Sequence, residues 1–454
     1  MNVLLVRPGR RKQAITLGEF MFSEPFGLEC LYALLKDKHK VTILDLMVGE
    51  EDFVTEFMAI KPDVIGFTSL CIDVFAVLEL ARQTKKLKKD CITLVGGTQT
   101  YLAPASFYDE SIDHVVHYTT RGNIKALFSH LEQGEHFAPI AGIHSRATDY
   151  VDTGQKGYND YLVPDRTSTS QYRHHYSYFG YQPCAIMQTS RGCSAMCNFC
   201  LRWKIEGCQE VDEPIEDVVA QIAHIDEPNV MIFDNNFLYN QERLERFCEL
   251  LEQEKIKKNF ICYGSAESIV AHKDTMGRLA DNGLCAVLVG YESFSEQDLQ
   301  SYKKVATPQT NVMAAKILKE SGIDCWASFI VNPDWDILDF KQMRRYIRQL
   351  HPQISSLSPL TPFPGSYLYH KYQNRVLFAP EDYDKWSFSL VSIQPSQMSL
   401  RRYYYEVLKT NLYVNLYLNN ASYMAKKFGI KTLYHLFCGA LRFLSAYIKL
   451  MLKG

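Results

Sequence analysis

The chain has no marked excess of either charge: 49 Lys and Arg face 51 Asp and Glu, a net charge of -2 over 454 residues. A basic face is the electrostatic footprint of nucleic-acid binding, so nucleic acid is not expected as a partner. The opening MNVLLVRPGRRKQ has no charged leader followed by an apolar stretch and a small-residue cleavage site, and it reads as a first β-strand. No internal repeat or low-complexity tract is present. The most apolar segment, 433–452, is interrupted by His435, Arg442 and Lys449, and Arg442 at its middle argues against a membrane span. Those basic residues lie about seven apart on one helical face. The segment therefore reads either as a core-packing helix or as a basic amphipathic helix making peripheral contact with a membrane. The thirteen cysteines are dispersed except for three, which excludes a disulfide framework and implies a cytoplasmic chain of reduced thiols. Cys30, Cys71, Cys91, Cys248, Cys285 and Cys325 read as small buried hydrophobes.

What is present is the composition of a globular protein, 47% hydrophobic and 22% charged. The length exceeds one ordinary core, so two or three domains are expected. Residues 1–146 alternate short apolar runs (3–6, 41–46, 63–69, 92–96, 114–118) with helical stretches (28–36, 51–60, 74–87). That alternation predicts an α/β fold with an open, doubly wound, Rossmann-like parallel sheet. Ligands of such sheets bind beyond the carboxyl ends of the strands, here the loops 7–25, 68–71, 96–99 and 119–123. Gly96 and Gly97 would let a ligand approach the backbone closely, or simply form a tight turn. Residues 147–182 lose all periodicity and read as a linker. Residues 183–370 then give six further strand–helix units, with strands at 185–188, 230–233, 260–263, 286–290, 325–331 and 355–360. They predict a partial or complete parallel barrel with its reactive groups at the strands' carboxyl ends. Residues 371–454 read as a mainly helical, aromatic region. Trp386, Phe388 and Tyr403 to Tyr405 would line an apolar substrate pocket or cover the barrel.

The strongest signal is Thr189-Ser-Arg-Gly-Cys193-Ser-Ala-Met-Cys197-Asn-Phe-Cys200, just after the first barrel strand. Three thiolates at CxxxCxxC spacing can hold three irons of a [4Fe–4S] cubane and leave the fourth open to a small molecule. Gly192 would let the loop fold back, and Phe199 would shield the cluster. The competing structural zinc site needs a fourth ligand, and Cys184 or Cys208 has no paired spacing to supply it. Asp234, Asn235 and Asn236 end another strand, where they contact a ligand or cap the following helix.

With these motifs the chain resembles the radical S-adenosylmethionine superfamily, in the branch with an amino-terminal cobalamin (B12)-binding domain, which is like the class B methyltransferases. The segments that carry the resemblance are Val3-Leu-Leu-Val-Arg-Pro8, Pro25-Phe-Gly-Leu28, Pro62-Asp-Val-Ile-Gly-Phe-Thr-Ser69, Val95-Gly-Gly97, the cysteine motif, Gly290-Tyr-Glu-Ser293 with Lys304, Ser328-Phe-Ile-Val331 and Thr361-Pro-Phe-Pro-Gly365. Their order covers nearly the whole chain. The resemblance implies a cobalamin-binding domain, a partial (β/α)6 barrel and a carboxyl-terminal helical region. It implies three cofactors: a [4Fe–4S] cluster on Cys193, Cys197 and Cys200, S-adenosylmethionine and cobalamin. Phe199, Asp234, Glu292 and Ser328 would contact S-adenosylmethionine, and Arg7, Thr68, Ser69, Gly96, Gly97 and Thr98 would contact cobalamin. Reductive cleavage of S-adenosylmethionine would give a 5′-deoxyadenosyl radical, with flavodoxin or ferredoxin as the external electron donor.

The sequence departs from the family in three places. It has no DxHxxG motif, whose histidine ligates cobalt from below, so loop 7–25 would face the cobalt instead and ease formation of Co(I). Thr119-Thr-Arg-Gly-Asn123 replaces an acidic stretch, and Val331-Asn-Pro333 lacks a glycine before the proline. The function implied is methyl transfer to an unactivated carbon of a small, apolar molecule. The alternatives are a radical cyclisation, ring contraction or rearrangement without methyl transfer, and a non-catalytic cobalamin- or redox-sensing protein.

Overall fold

In the computed structural model, residues 1–9, 21–134, 139–154, 157–419 and 421–453 are described. The amino-terminal sheet comprises β1 (Asn2–Arg7), β2 (Lys40–Asp45), β3 (Val64–Thr68), β4 (Ile92–Gly96), β5 (His114–Val116) and β6 (Ile143–Ser145), in the order β2-β1-β3-β4-β5-β6. All neighbours are parallel except β6, which runs antiparallel to β5. Alternation along β1 explains why helices cover both faces. Leu4 and Val6 join one apolar cluster with Phe57, Val77 and Phe107, while Val3 and Leu5 join another with Leu28, Leu127 and Phe128. Local signals set the helix starts. Asp52 accepts from the Thr55 amide at 2.9 Å, and Thr120 and Asn123 form a reciprocal capping box.

The second sheet is wholly parallel. Its strands are β7 (Cys184–Met187), then, beyond a short hairpin of β8 (Ser190–Arg191) and β9 (Val211–Asp212), β10 (Asn229–Ile232), β11 (Asn259–Gly264), β12 (Leu284–Glu292), β13 (Asp324–Val331) and β14 (Ile354–Pro359). The order β14-β13-β12-β11-β10-β7 makes an open barrel of six strands, since β7 and β14 do not pair. Residues alternate here too. Val230, Ile232, Val287 and Val289 pack outward against helices, while Met231, Ile261, Ala286 and Trp326 face the concave side. That concave side is filled by Met21 and Phe26 from the amino-terminal domain and by Tyr178 and Tyr181 from the connecting segment. Phe26 meets Phe233 edge-to-face at 5.1 Å.

Both open edges of the barrel are satisfied by side chains. The Ile186 amide donates to Glu24 at 2.8 Å, and the Ile186 carbonyl accepts from Arg166 at 2.6 Å. On β14, Asn419 accepts from the Ser355 amide at 2.8 Å and donates to its carbonyl at 3.2 Å. Exposed strand edges otherwise invite pairing with other chains.

The segment 147–182 is not a passive tether. Its Arg166 and Arg173 pair with Glu24 and Arg173 also with Glu29, both carboxylates buried, and Arg173 reaches Glu227 in the barrel. Within 371–454, read as mainly helical, a helix ending at Tyr372 is followed by the next α-helix only at Leu400–Tyr413, and residues 376–397 are largely irregular. Of the six cysteines read as buried hydrophobes, Cys30, Cys91, Cys248 and Cys325 are buried and Cys71 and Cys285 half-buried.

Candidate active site

β7 carries the chain to the barrel mouth, and the three clustered cysteines lie on the turn enclosed by the β8–β9 hairpin. Gly192 is required there. Its φ is +82°, and a Cβ would run into the Gln209 carbonyl oxygen. The Cys193 amide donates to the Gly207 carbonyl (3.1 Å), the Asn198 amide to the Tyr302 carbonyl (3.0 Å), and the Trp203 indole to the Cys197 carbonyl (3.1 Å). The loop is thus tied down on three sides before any ligand arrives. Cys197 is buried and Cys193 and Cys200 half-buried, all three unbonded. Burial pushes all three thiols up, Cys197 to about 12, while the Lys304 ammonium draws Cys193 and Cys197 back down. Such thiols become thiolates only beside a strong positive charge, as metal ligation supplies.

Among the described residues, no three His, Cys, Asp or Glu side chains converge tightly enough to hold one ion. A closed zinc tetrahedron takes four ligands, with each sulfur about 2.3 Å from a common centre, and this loop carries three cysteines. Three thiols that share a loop but not a single point suit a multi-iron cluster.

Across the mouth, β12 ends in a local irregularity of its register with β13, between Gly290 and Glu292. Glu292 has φ +61° and is buried, and its carboxylate folds back over Gly290, where any Cβ would collide with it. The Lys304 ammonium lies over the same glycine, 3.8 Å from where that Cβ would be. Burial raises Glu292 to about 7, with Lys304 opposing the rise and Glu267 adding to it. A carboxylate and an ammonium side by side near three thiols match the amino and carboxylate groups of a bound amino acid. Ser328 sits beside Gly290 in register, on β13. Phe199 packs edge-to-face on Tyr302 at 5.7 Å.

Asp234 is turned towards the approach to the cysteine loop. It is fully buried, and it accepts from the Thr189 amide (2.6 Å), the Thr189 hydroxyl (2.5 Å) and the Ser190 hydroxyl (2.8 Å). It braces the approach to the cysteine loop. Asn235 donates to the Gly192 carbonyl (2.8 Å) and accepts from Arg202 (2.7 Å). Asn236 accepts from the Ser265 amide at 3.1 Å. Four features escaped the sequence: Glu267, Arg202, the Asn235 brace, and a hydroxyl pair of Tyr178 and Tyr263 at 2.5 Å. Each joins residues far apart in the chain, and no local pattern marks them.

At the amino-terminal sheet, Thr68, Ser69, Gly96, Gly97 and Thr98 do come together, at the carboxyl ends of β3 and β4. The Ser69 amide donates to the Gly96 carbonyl (2.9 Å) and the Gln99 amide to the Ser69 carbonyl (3.2 Å). Gly97 has φ +113°, and a Cβ would lie 2.7 Å from the Ser69 carbonyl oxygen, so this glycine serves the close approach of two loops. Gly97 and Thr98 are exposed on the resulting shelf. Arg7 is turned inward, donating to the Ser23 carbonyl (2.5 Å) and pairing with Asp45 (3.4 Å). Hydroxyls, backbone amides and a side-chain-free glycine on an exposed edge fit a large cofactor held by shape and hydrogen bonds. Most of the loop expected to face cobalt, residues 10–20, lies outside the described residues.

An open parallel barrel with a three-thiol mouth, docked on a doubly wound sheet, is the architecture of a cluster-bearing radical enzyme with its own cofactor module. Residues 187–347 match the Radical SAM superfamily and residues 21–127 the B12 binding domain. The chain is 26% identical to the hopanoid C-3 methylase of Methylococcus capsulatus, over 95% of this chain and 84% of that one. Among solved structures, the cobalamin-dependent S-adenosylmethionine radical enzyme OxsB aligns with a TM-score of 0.70 at 16% identity, over 93% of this chain and 68% of that chain. The methyltransferase TsrM from Kitasatospora setae aligns at 0.64 and 15%, over 82% and 74%. The chain belongs to the radical SAM superfamily, in the branch that carries a B12-binding domain. It is an enzyme whose cofactors are a [4Fe–4S] cluster, S-adenosylmethionine and cobalamin.

Proposed function

We propose that this enzyme methylates an unactivated carbon of a small, apolar, polycyclic or isoprenoid-like molecule. The observation that carries the proposal is the pairing of two sites: a three-thiol loop beside Glu292 and Lys304, and a hydroxyl-and-glycine shelf on a domain whose Phe26 enters the barrel's concave side. When bound, the cluster supplies an electron, S-adenosylmethionine a hydrogen-abstracting radical and a methyl group, and cobalamin a carrier for that methyl. The chain's own residues do the rest. Cys193, Cys197 and Cys200 hold the cluster. Glu292 and Lys304 orient the amino and carboxylate ends of S-adenosylmethionine, Ser328 lies beside them, and Phe199 excludes water from one side. Asp234 and Asn235 keep the cysteine loop in place. Thr68, Ser69, Gly96, Gly97 and Thr98 seat cobalamin, and Arg7 stiffens the neighbouring strand end.

In this reading, residues 1–146 form the cobalamin module, 147–182 the connecting clamp, 183–370 the barrel and 371–454 the substrate-side cover. The likeness to a hopanoid methylase supports a lipid-like substrate. Such substrates reside in membranes, and a cytoplasmic enzyme in peripheral contact with one through its carboxyl-terminal helix belongs to the same reading, with flavodoxin or ferredoxin as reductant. The chain has no DxHxxG motif and residues 7–25 contain no histidine, so these residues would offer a bound corrinoid no imidazole. Nitrogen superhyperfine splitting from a protein ligand in the Co(II) electron-paramagnetic-resonance spectrum would refute that point.

The main test is anaerobic turnover of the reduced, cofactor-loaded enzyme with S-adenosylmethionine and candidate apolar substrates. Methyl transfer yields both S-adenosylhomocysteine and 5′-deoxyadenosine. The second product alone would mean cyclisation or rearrangement, and neither product would mean a non-catalytic sensor.

A further inference from the structure

The last 48 residues, from Val407 onward, hold seven Lys and Arg and no Asp or Glu, within a chain whose net charge is -2. Most of them lie in the helix Ala421–Lys453, which is broken by Gly429 at φ +83° and ψ 161°. Before the break, Tyr423 and Lys427 are bound to Asp324, at the amino end of β13. After it, one face packs on the barrel through Phe443, Leu444, Tyr447, Leu450 and Met451. Tyr447 is fully buried, meets Tyr404 edge-to-face and donates to the Ser389 carbonyl at 2.7 Å. Its neighbour Tyr403 reaches the Val331 carbonyl, at the carboxyl end of β13. The helix thus climbs the outside of the barrel from the amino end towards the mouth.

The opposite face is apolar and uncovered. Ile430, Tyr434, Phe437, Leu441, Ile448 and Leu452 are 79%, 63%, 60%, 48%, 44% and 74% exposed. Steps of four, three, four, seven and four return these six to one stripe of an α-helix. Exposed Arg442 and Lys449, seven apart, flank the stripe on one side. Contiguous exposed apolar patches of this kind mark interaction sites.

The charge distribution chooses the partner. A second copy of this chain would set two acid-free, basic helices against each other. The segment Thr432–Leu452 is long and apolar enough to cross a membrane, but one face packs on the barrel through buried Tyr447 and partly buried Phe443, Leu444, Leu450 and Met451, and Arg442 sits near the midpoint. An anionic bilayer surface satisfies both features at once: acyl chains take the stripe and headgroups take the basic flank.

We infer that residues 430–452 form an interfacial helix that lays the side of the barrel on an anionic phospholipid membrane, with the active-site mouth at one end of the contact. The inference deepens the peripheral contact included in the proposed function; its geometry depends neither on methyl transfer nor on the substrate.

The test is flotation of the full-length, cofactor-loaded enzyme with phosphatidylcholine vesicles, with and without phosphatidylglycerol. Wild type is expected to float with the anionic vesicles, at least about tenfold more tightly than with neutral ones, and to be released by high salt. Phe437→Glu with Leu441→Glu should abolish flotation, and Lys449→Glu should weaken it. Both variants should keep wild-type iron content and wild-type cleavage of S-adenosylmethionine without substrate. Failure of the iron-replete wild type to float overturns the inference, as does equal flotation of the double variant. So does a wild-type dimer that the double variant converts to monomer without vesicles. Flotation without methylation of any lipid would leave the contact standing and remove the proposed substrate class.

Discussion

At the carboxyl end of the barrel sheet lie three thiols, one buried and two half-buried, with buried Glu292 and half-buried Lys304. At the carboxyl end of the amino-terminal sheet, the corresponding residues are Thr68, Ser69, Gly97 and Thr98, none of which titrates in the ordinary range. The two ends are alike in backbone and opposite in chemistry. One is built to ligate and to place charge beside a redox centre; the other is built to be flat, open and neutral. The difference teaches that parallel strand ends supply only a location, and that the side chains there decide whether a ligand is held by bonds or by fit.

That contrast can be broken most severely at Cys197. Replacing Cys197 with Ala should abolish cluster assembly and S-adenosylmethionine cleavage while leaving cobalamin binding intact, measured as iron, sulfide and corrinoid content of one preparation. A parallel loss of cobalamin would show that the two sites are not independent.

The next largest effect belongs to Glu292. Glu292→Gln should lower cleavage of S-adenosylmethionine by about 10- to 100-fold with little loss of iron. Gly290→Ala should reproduce part of that loss, because the added methyl occupies the space of the Glu292 carboxylate.

On the neutral side, Gly97→Val should act the other way round. A branched side chain at φ +113° pressed against Ser69 should cost about 1–3 kcal/mol of stability. Cobalamin retention should fall in thermal-melt and absorbance assays, and iron content should stay at the wild-type level. Loss of the cluster instead would show that the two strand ends are coupled.

The smallest effect concerns the join between the two regions. Burial, reinforced by Glu24 and opposed by Arg173, raises Glu29 to about 8. Because the folded value lies above the unfolded one, the stabilisation is complete below about pH 4.5 and is lost as pH rises through about 8. The melting temperature should therefore decline between about pH 4.5 and about pH 8 and level off above it, and Glu29→Gln should flatten that decline.

Much of this was legible in the sequence, for physical reasons that also explain the omissions. Strands such as β1, β4 and β13 announce themselves because buried parallel strands are continuous apolar runs. The three-residue β6 and the two-residue β8 and β9 are too short to carry a period. The cysteine loop was readable because ligand spacing within a tight turn is local. The bracing contacts of Asp234 were not legible because its partners, Thr189 and Ser190, lie more than forty residues away. The stretch 147–182 looked structureless because Arg166 and Arg173 are ordered by carboxylates from two other regions, and ionic pairing leaves no periodicity.

The unpaired edges of β7 and β14 have a consequence for the range of substrates such a scaffold can serve. A closed barrel has a bore fixed by its strands, whereas a trough takes its width from whatever spans the gap. Here the rims are finished by Glu24 and Arg166 on one side and Asn419 on the other, single side chains borrowed from outside the barrel. Guest size can then be rewritten by changing the borrowed pieces while the radical-generating floor stays as it is.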